Sequence, residues 1–303
     1  MIVCVPDDRA VAELGELPEQ IQLVTWDGAG SPPAAAAEAE FLVGPYGVPS
    51  SPEALLAGLP KLKVVQLLSA GVDAWLSALP DGVTLCRGAG IHTDSTAELA
   101  LALALASLRE LPRFVRQQGE RRWEPVIAEN LAGQRVLIVG AGEIGQAIAR
   151  RVAAFEAVPT LVGRTARDGV RATSELPELL GEHGVVIVVV PLTAETDKLV
   201  DAEFLAAMPD GALLVNVARG QVVDTDALLA ETSSGRLRAA LDVVDPEPLP
   251  VDHPLWTLPN VLITPHVGGG THGWERRAYP VAREQMLRYL NGDPLQNVVS
   301  GRY

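Results

Sequence analysis

Three residues in this chain of 303 are of types that together could move a proton and hold an anion. They are Arg219 in the run NVARG at 216–220, Glu247 between Pro246 and Pro248, and His266 in the run TPHVG at 264–268. An imidazole gives or takes a proton near neutral pH. A carboxylate hydrogen-bonded to it would hold the ring in one orientation, and a guanidinium fork can clamp a carboxylate and a ketone oxygen together. Such a set suits hydride reduction of a ketone, where the developing alkoxide needs a proton and a neighbouring carboxylate needs a cation. Taken singly, each residue is ordinary. A lone His is usually a satisfied structural residue, an Arg a surface charge, and a Glu between prolines a solvated turn.

The second chemical signal is a glycine run. Residues 136–139 are apolar and read as a short buried strand; Gly140, Ala141, Gly142, Glu143, Ile144 and Gly145 follow, and then a helical pattern with Ile148, Val152 and Phe155 on one face. In that order each glycine has its own task. Gly140 permits a tight turn, Gly142 lets the backbone approach a pyrophosphate, and Gly145 lets the helix pack closely on the strand. The free N–H groups of the first helical turn then hold the phosphates. Glu143 stands beside that turn, where an acid is not ideal, and its side chain is expected to point to solvent.

The end of the next strand bears on which dinucleotide fits. An Asp or Glu about twenty residues past the last glycine binds the ribose 2′-hydroxyl of NAD. Here that place holds Gly163, Arg164, Thr165 and, slightly further on, Arg167. A guanidinium fork suits a 2′-phosphate and a carboxylate would repel one, so NADP(H) is expected to be preferred, with NAD(H) possible. Arg164 and Thr165 are the main contacts and Arg167 a further one.

These groups need strands to position them. Residues 1–6, 21–26, 40–43 and 63–68 read as strands, with a loop and short helix at 32–37 between them. The fourth runs into SAGVD at 69–73, where Gly71 frees the backbone to expose N–H groups. After the glycine run, strands are expected at 160–163, 185–190, 213–217, 239–243 and 261–264. Alternation of short strands with helical stretches predicts parallel sheets covered on both faces, the first about ninety residues long. Between the two parts, Ser95 and Glu98 stand at capping-box spacing ahead of an almost wholly apolar helix reaching Leu108, expected to be buried between domains. Residues 109–123 read as an exposed polar arm, 281–290 as a helix, and the tail from 291 as loop.

Composition bounds the partners. A net charge of −14, from 24 basic and 38 acidic residues, repels polyanions and argues against nucleic acid or an anionic membrane surface. The longest apolar block, at 99–108, is too short to span a bilayer. Cys4 and Cys86 lack metal-ligand spacing and read as buried thiols in a reducing compartment, so no metal and a cytoplasmic setting are expected. His92, His183, His253 and His272 are read as non-catalytic loop residues, and Tyr46 and Trp274 as packing that could also shape a pocket.

Taken together, the chain resembles the D-isomer-specific 2-hydroxyacid dehydrogenases over nearly its full length. The resemblance rests on SAGVD at 69–73, TAE at 96–98, the glycine run at 140–145, PLT at 191–193, NVARG at 216–220, LDV at 241–243, EP at 247–248 and PHVG at 265–268. It implies an α/β fold of two Rossmann-like, doubly wound parallel-sheet domains with the active site in the cleft between them. Residues 1–93 with 281–303 would form the flavodoxin-like substrate domain and 94–280 the dinucleotide domain, usually as a homodimer. Arg219 would bind substrate, Glu247 and His266 would be the acid/base pair, and the backbone at Ala70 and Gly71 would grip the substrate carboxylate. Asp242 would hold the nicotinamide carboxamide, and Thr96, Pro191, Leu192, Ala218 and Gly268 would line the cofactor. The acid-free 163–167 segment is similar to that of glyoxylate/hydroxypyruvate reductases. Glu247 disfavours formate oxidation, for which such relatives carry Gln, and Ser69 and Ala70 stand near where phosphite-oxidising relatives place a lysine. A dinucleotide-sensing corepressor on the same fold keeps the same Arg/Glu/His set, but the chain has no long disordered or basic segment of the kind such a protein would use.

Overall fold

The computed structural model describes residues 1–47 and 51–299. The strands, in chain order, are β1 (Ile2–Val5), β2 (Gln22–Thr25), β3 (Phe41–Val43), β4 (Val64–Gln66), β5 (Thr84–Cys86), β6 (Arg135–Val139), β7 (Val158–Gly163), β8 (Val170–Ala172), β9 (Val185–Val188), β10 (Leu213–Asn216), β11 (Arg238–Leu241) and β12 (Val261–Ile263). The α-helices are α1 (Asp8–Leu14), α2 (Pro52–Ala57), α3 (Asp73–Leu76), α4 (Thr93–Leu108), α5 (Leu111–Gly119), α6 (Glu143–Ala154), α7 (Leu176–Leu180), α8 (Ala202–Ala207), α9 (Thr225–Ser233) and α10 (Glu275–Asn291). The chain divides into two compact units, residues 1–92 with the segment from 271 onward, and residues 93–270.

The first unit is a five-stranded parallel sheet in the order β2-β1-β3-β4-β5. Successive residues of a strand face opposite sides, so an apolar run can feed two cores at once. Val3, Val5, Phe41, Val43 and Val64 pack on one face with Tyr279, Ala282 and Met286 of α10. Cys4, Leu42 and Val65 pack on the other with Leu55, Leu56 and Trp75. Truncating a fully buried residue such as Leu42 to Ala would cost about 2–5 kcal/mol.

The chain returns to this unit at 271, ten residues before the expected 281. Pro280 reads as a helix breaker, yet α10 is continuous through it from Glu275. Pro280 lies on the exposed side, early in the helix, while Ala278, Tyr279, Ala282 and Met286 are buried. A buried amide network then fastens the segment to the sheet. Gln285 Nε2 donates to Gln66 Oε1 at 3.0 Å and to the Gln296 carbonyl at 2.8 Å, and the Gln296 N–H donates back to Gln285 Oε1 at 2.9 Å. Helix α10 takes in Asn291, the rest of the expected loop follows over 292–299, and 300–303 lie outside the described residues.

The second unit is a seven-stranded parallel sheet in the order β12-β11-β10-β9-β6-β7-β8. Leu137, Val139, Val186, Val188 and Leu214 face α7, α8 and α9 through Leu179, Phe204 and Leu228. Val136, Ile138, Val185, Ile187, Leu213 and Val215 face α4 and α6 through Ala100, Leu103, Ile148 and Val152. The order reverses between β6 and β9, which places a ligand crevice at the carboxyl ends of those strands.

Four local expectations are corrected. The apolar helix α4 begins at Thr93, so Ser95 is buried inside its first turn, and Glu98 forms an ion pair with Arg151 instead of closing a capping box. Phe155 is not on the buried face of α6: it caps the helix and is half exposed. The arm at 109–123 contains the helix α5, started by Pro112 in its first turn. The short strands β5 and β8 add to those expected, at the edges of the two sheets.

Candidate active site

The glycine run joins β6 to α6 as the spacing predicts. Gly140 has φ +124° and presses on the Val189 carbonyl, so a side chain there would strike backbone. A Cβ on Gly145 would collide with the Gly140 carbonyl, which is the close strand–helix packing inferred from sequence. Gly142 differs: a Cβ there would meet nothing within 4 Å. It caps α6 without any side-chain hydrogen bond, leaving the helix N-terminus open to an anion, with Glu143 exposed.

Arg167 and Arg164 take different partners at the end of β7. Arg167 Nη2 donates to the Ala141 carbonyl at 2.9 Å and so braces the glycine turn. Arg164 Nε lies 3.2 Å from Glu195 Oε2, both side chains being largely exposed. Thr165 is exposed beside it and Gly163 is half-buried. Glu195 belongs to the 193–197 turn that follows Pro191 and Leu192, where Thr196 Oγ1 donates to the Pro191 carbonyl at 2.6 Å. An open helix terminus, an acid-free strand end and two guanidinium groups on one edge fit a dinucleotide carrying phosphate at both places.

The reacting groups sit on the same edge of the second sheet. Asn216 ends β10; its Oδ1 accepts from the Ala218 N–H at 3.0 Å and its Nδ2 donates to the Arg219 carbonyl at 3.0 Å. That Asx turn fixes the Arg219 backbone. A Cβ on Gly220 would collide with the Val244 carbonyl, so the Arg219 loop lies directly on the segment leading to Glu247. Arg219 Nη1 donates to the Ala218 carbonyl at 2.7 Å. His266 Nδ1 stands 2.6 Å from Glu247 Oε1, with 45% and 39% of the two side chains exposed. The pair foreseen from residue types is therefore formed, and it leaves Nε2 as the other working nitrogen.

His266 has φ +52°, a left-handed conformation that costs an L residue about 1–2 kcal/mol. Asp242, 3% exposed at the end of β11, holds the loop there. Its Oδ1 accepts from the Thr264 hydroxyl at 2.6 Å and the Val267 N–H at 2.9 Å, its Oδ2 from the Gly268 N–H at 2.9 Å, and its carbonyl from the His266 N–H at 2.8 Å. Thr96 Oγ1, in the first turn of α4, donates to the Gly268 carbonyl at 3.3 Å.

Ala70 and Gly71 belong to the first unit, in a loop where Ser69 Oγ donates to the Gly71 carbonyl at 2.9 Å. Just beyond, His92 is buried with Nε2 on the Leu68 carbonyl at 2.9 Å, and Tyr46 stacks on Trp274 with ring centroids 4.2 Å apart. His183 is not in a polar loop: it is buried between the Leu179 carbonyl (2.7 Å) and Thr160 Oγ1 (3.0 Å), and burial lowers its pKa. His253 caps a short 3-10 turn, and His272 is exposed. Burial pushes Cys4 up to about 12 and Cys86 to about 11, so neither thiol is a nucleophile at neutral pH. Sequence reasoning quoted Asn216, Gly220 and Thr264 within motifs but gave them no task. An Asn two residues before a turn and a Gly just after the Arg were the available signals.

Among the described residues no helix is long and apolar enough to cross a membrane, and no group of three or more His, Cys, Asp or Glu could hold a metal. The second sheet and its carboxyl edge define an α/β dinucleotide-binding protein. Residues 101–268, more than half of the chain, match the family model "D-isomer specific 2-hydroxyacid dehydrogenase, NAD binding domain". The chain is 36% identical over 248 residues to the human glyoxylate reductase/hydroxypyruvate reductase, covering 77% of this chain and 76% of the relative. It superposes with a TM-score of 0.81 and 33% identity on a D-isomer specific 2-hydroxyacid dehydrogenase of Xanthobacter autotrophicus Py2 solved with NADPH and MES, over 98% of both chains. A Sinorhizobium meliloti NADPH-dependent glyoxylate/hydroxypyruvate reductase, solved with NADP and sulfate, gives 0.83 and 28% over 99% and 98%. The protein belongs to the D-isomer specific 2-hydroxyacid dehydrogenase family, and both its units have that family's Rossmann-like fold. It is an NAD(P)-dependent oxidoreductase.

Proposed function

We propose that this dehydrogenase reduces small 2-oxo acids such as glyoxylate or hydroxypyruvate with NADPH, using His266 as the proton donor. The observation that carries the reading is the hydrogen-bonded His266–Glu247 pair on the same sheet edge as an arginine-bearing, acid-free end of β7. The names of the human and Sinorhizobium relatives support it.

Bound along that edge, reduced nicotinamide would supply hydride to the keto carbon. The α6 N-terminus with Gly140, Ala141, Gly142, Ile144 and Gly145 holds the pyrophosphate, and Arg164 with Thr165 and Arg167 holds the 2′-phosphate. Thr96, Pro191, Leu192, Ala218, Asp242 and Gly268 line the remainder. Arg219 binds the substrate carboxylate and ketone oxygen. His266 Nε2 gives its proton to the oxygen as negative charge develops there, while Glu247 fixes the ring through Nδ1. Placement and charge thus supply most of the rate.

Trp123, with 95% of its surface exposed, and the exposed Leu111, Val115 and Ile127 crowd one stretch around α5, which supports a homodimer formed through the second unit. Two buried free thiols support a cytoplasmic setting. The test is the initial rate of NADPH oxidation with glyoxylate beside the same assay with NADH. Fast turnover with NADPH alone supports both parts of the reading. Preference for NADH removes the 2′-phosphate assignment, and no turnover with either removes the substrate class.

A further inference from the structure

We propose that Thr264 is a positioning residue for His266, acting through the carboxylate of Asp242. The inference rests on the reading of His266 as proton donor.

The argument begins with the backbone. β12 ends at Ile263, and the next five residues must turn sharply to bring His266 to Glu247. His266 does so at φ +52°, a conformation a histidine does not hold unaided. What holds it is one buried carboxylate. Donors from 264, 267 and 268 converge on the two oxygens of Asp242, and the 266 N–H reaches its carbonyl. Four donors of the His266 loop thus converge on a single residue.

Among the described residues no cation pairs with Asp242, so its charge is held by neutral donors alone. Two are backbone N–H groups, which only a proline substitution would remove. The third, the Thr264 hydroxyl, makes the shortest of the bonds, at 2.6 Å, and is the one side-chain donor in the set. A buried charge that loses one of three donors is strongly destabilised, and the loop relaxes to recover it. Any relaxation is transmitted to His266, two residues away.

The two oxygens are also unequal. Oδ1 is filled by Thr264 and Val267, whereas Oδ2 takes the Gly268 N–H and has capacity for a second donor. Thr264 therefore fixes the carboxylate from behind and leaves Oδ2 free for a ligand donor.

The test uses the full-length enzyme with Thr264→Val, which keeps the shape and removes the donor, and Thr264→Ser, which keeps the donor. Thr264→Ala replaces the Val variant should that one not fold. Loss of kcat by about tenfold or more is expected for Thr264→Val, with the Kd for NADPH changed by less than about threefold and Thr264→Ser close to wild type. In a His266→Ala background the same Thr264→Val change is expected to cost less than about twofold, because a residue acting through His266 has nothing left to position. Native kcat in Thr264→Val, or the full loss repeated in the His266→Ala background, overturns the proposal. If His266→Ala itself retains native turnover, the proton-donor reading fails first and this assignment falls with it.

Discussion

His266 Nδ1 and Glu247 Oε1 stand 2.6 Å apart, joined from two different strand ends across nineteen residues of chain. The contact holds the imidazole by one nitrogen and presents the other. Replacing His266 by Ala should lower kcat by about a hundredfold or more, the usual range for a lost general acid. Glu247→Ala should lower it less, by about ten- to a hundredfold, since the donor survives but is no longer aimed. NADPH binding, followed by nucleotide fluorescence, should hold in both. Near-native turnover of either variant would remove the pair from the mechanism.

On the proposed reading Arg164 decides the nucleotide. Arg164→Glu should raise the KM for NADPH at least about tenfold and leave that for NADH within about threefold, because only the former carries a phosphate to repel. Equal changes for both nucleotides would mean that the residue serves stability or the adenine instead.

On the same reading Glu195 would work against that phosphate. Its carboxylate is 3.2 Å from Arg164 Nε and must give way to, or lie beside, a bound dianion. An exposed pair of this kind is worth about 0–1 kcal/mol, so Glu195→Gln should lower the KM for NADPH by about two- to fivefold and leave NADH unaffected. Half-molar salt should erase most of the gain through screening. A gain that persists in salt would point to altered loop structure.

The glycines separate folding from binding. Gly145→Ala drives a methyl into the Gly140 carbonyl and should lower Tm sharply or abolish soluble expression. Gly142→Ala meets nothing within 4 Å, so it should fold with Tm nearly unchanged and still weaken nucleotide binding about tenfold, by filling the approach to the helix terminus. Thermal melts beside nucleotide titrations distinguish the two, and equal behaviour would contradict the division of labour.

Acid sensitivity should centre partly on His183. Burial lowers its pKa below the ordinary value of 6.5, so as pH falls the unfolded chain takes up this proton before the folded one does. The stability it contributes is complete above about pH 6.5 and is lost progressively below. His183→Asn should therefore flatten the decline of Tm between about pH 7 and about pH 5, whatever its effect on the absolute value. An unchanged slope would locate the acid sensitivity elsewhere.

Much of this was legible from sequence because the signals are local. Gly140, Gly142 and Gly145 between an apolar strand and an amphipathic helix specify their own geometry, and burial on both faces made β6, β9 and β10 readable as apolar runs. What stayed hidden depends on tertiary partners. Thr264 is an ordinary strand-end threonine until Asp242, twenty-two residues away, is folded against it. Glu98 suits a capping box equally well until Arg151 of α6 claims it. His183 looks like a loop residue because the carbonyl and hydroxyl that bury it arrive from α7 and β7.

The closing of the first core by α10 also sets an order of manufacture. When a ribosome has made residues 1–92, all five strands of that sheet exist, yet the face bearing Val3, Phe41 and Val64 still lacks Ala278, Tyr279, Ala282 and Met286. Residues 93–270 form an uninterrupted unit whose seven strands are complete before those four residues emerge. Vectorial synthesis therefore finishes the nucleotide-binding unit first, while the earlier-made sheet waits, one face covered only in part by α1, for a helix encoded nearly two hundred codons later.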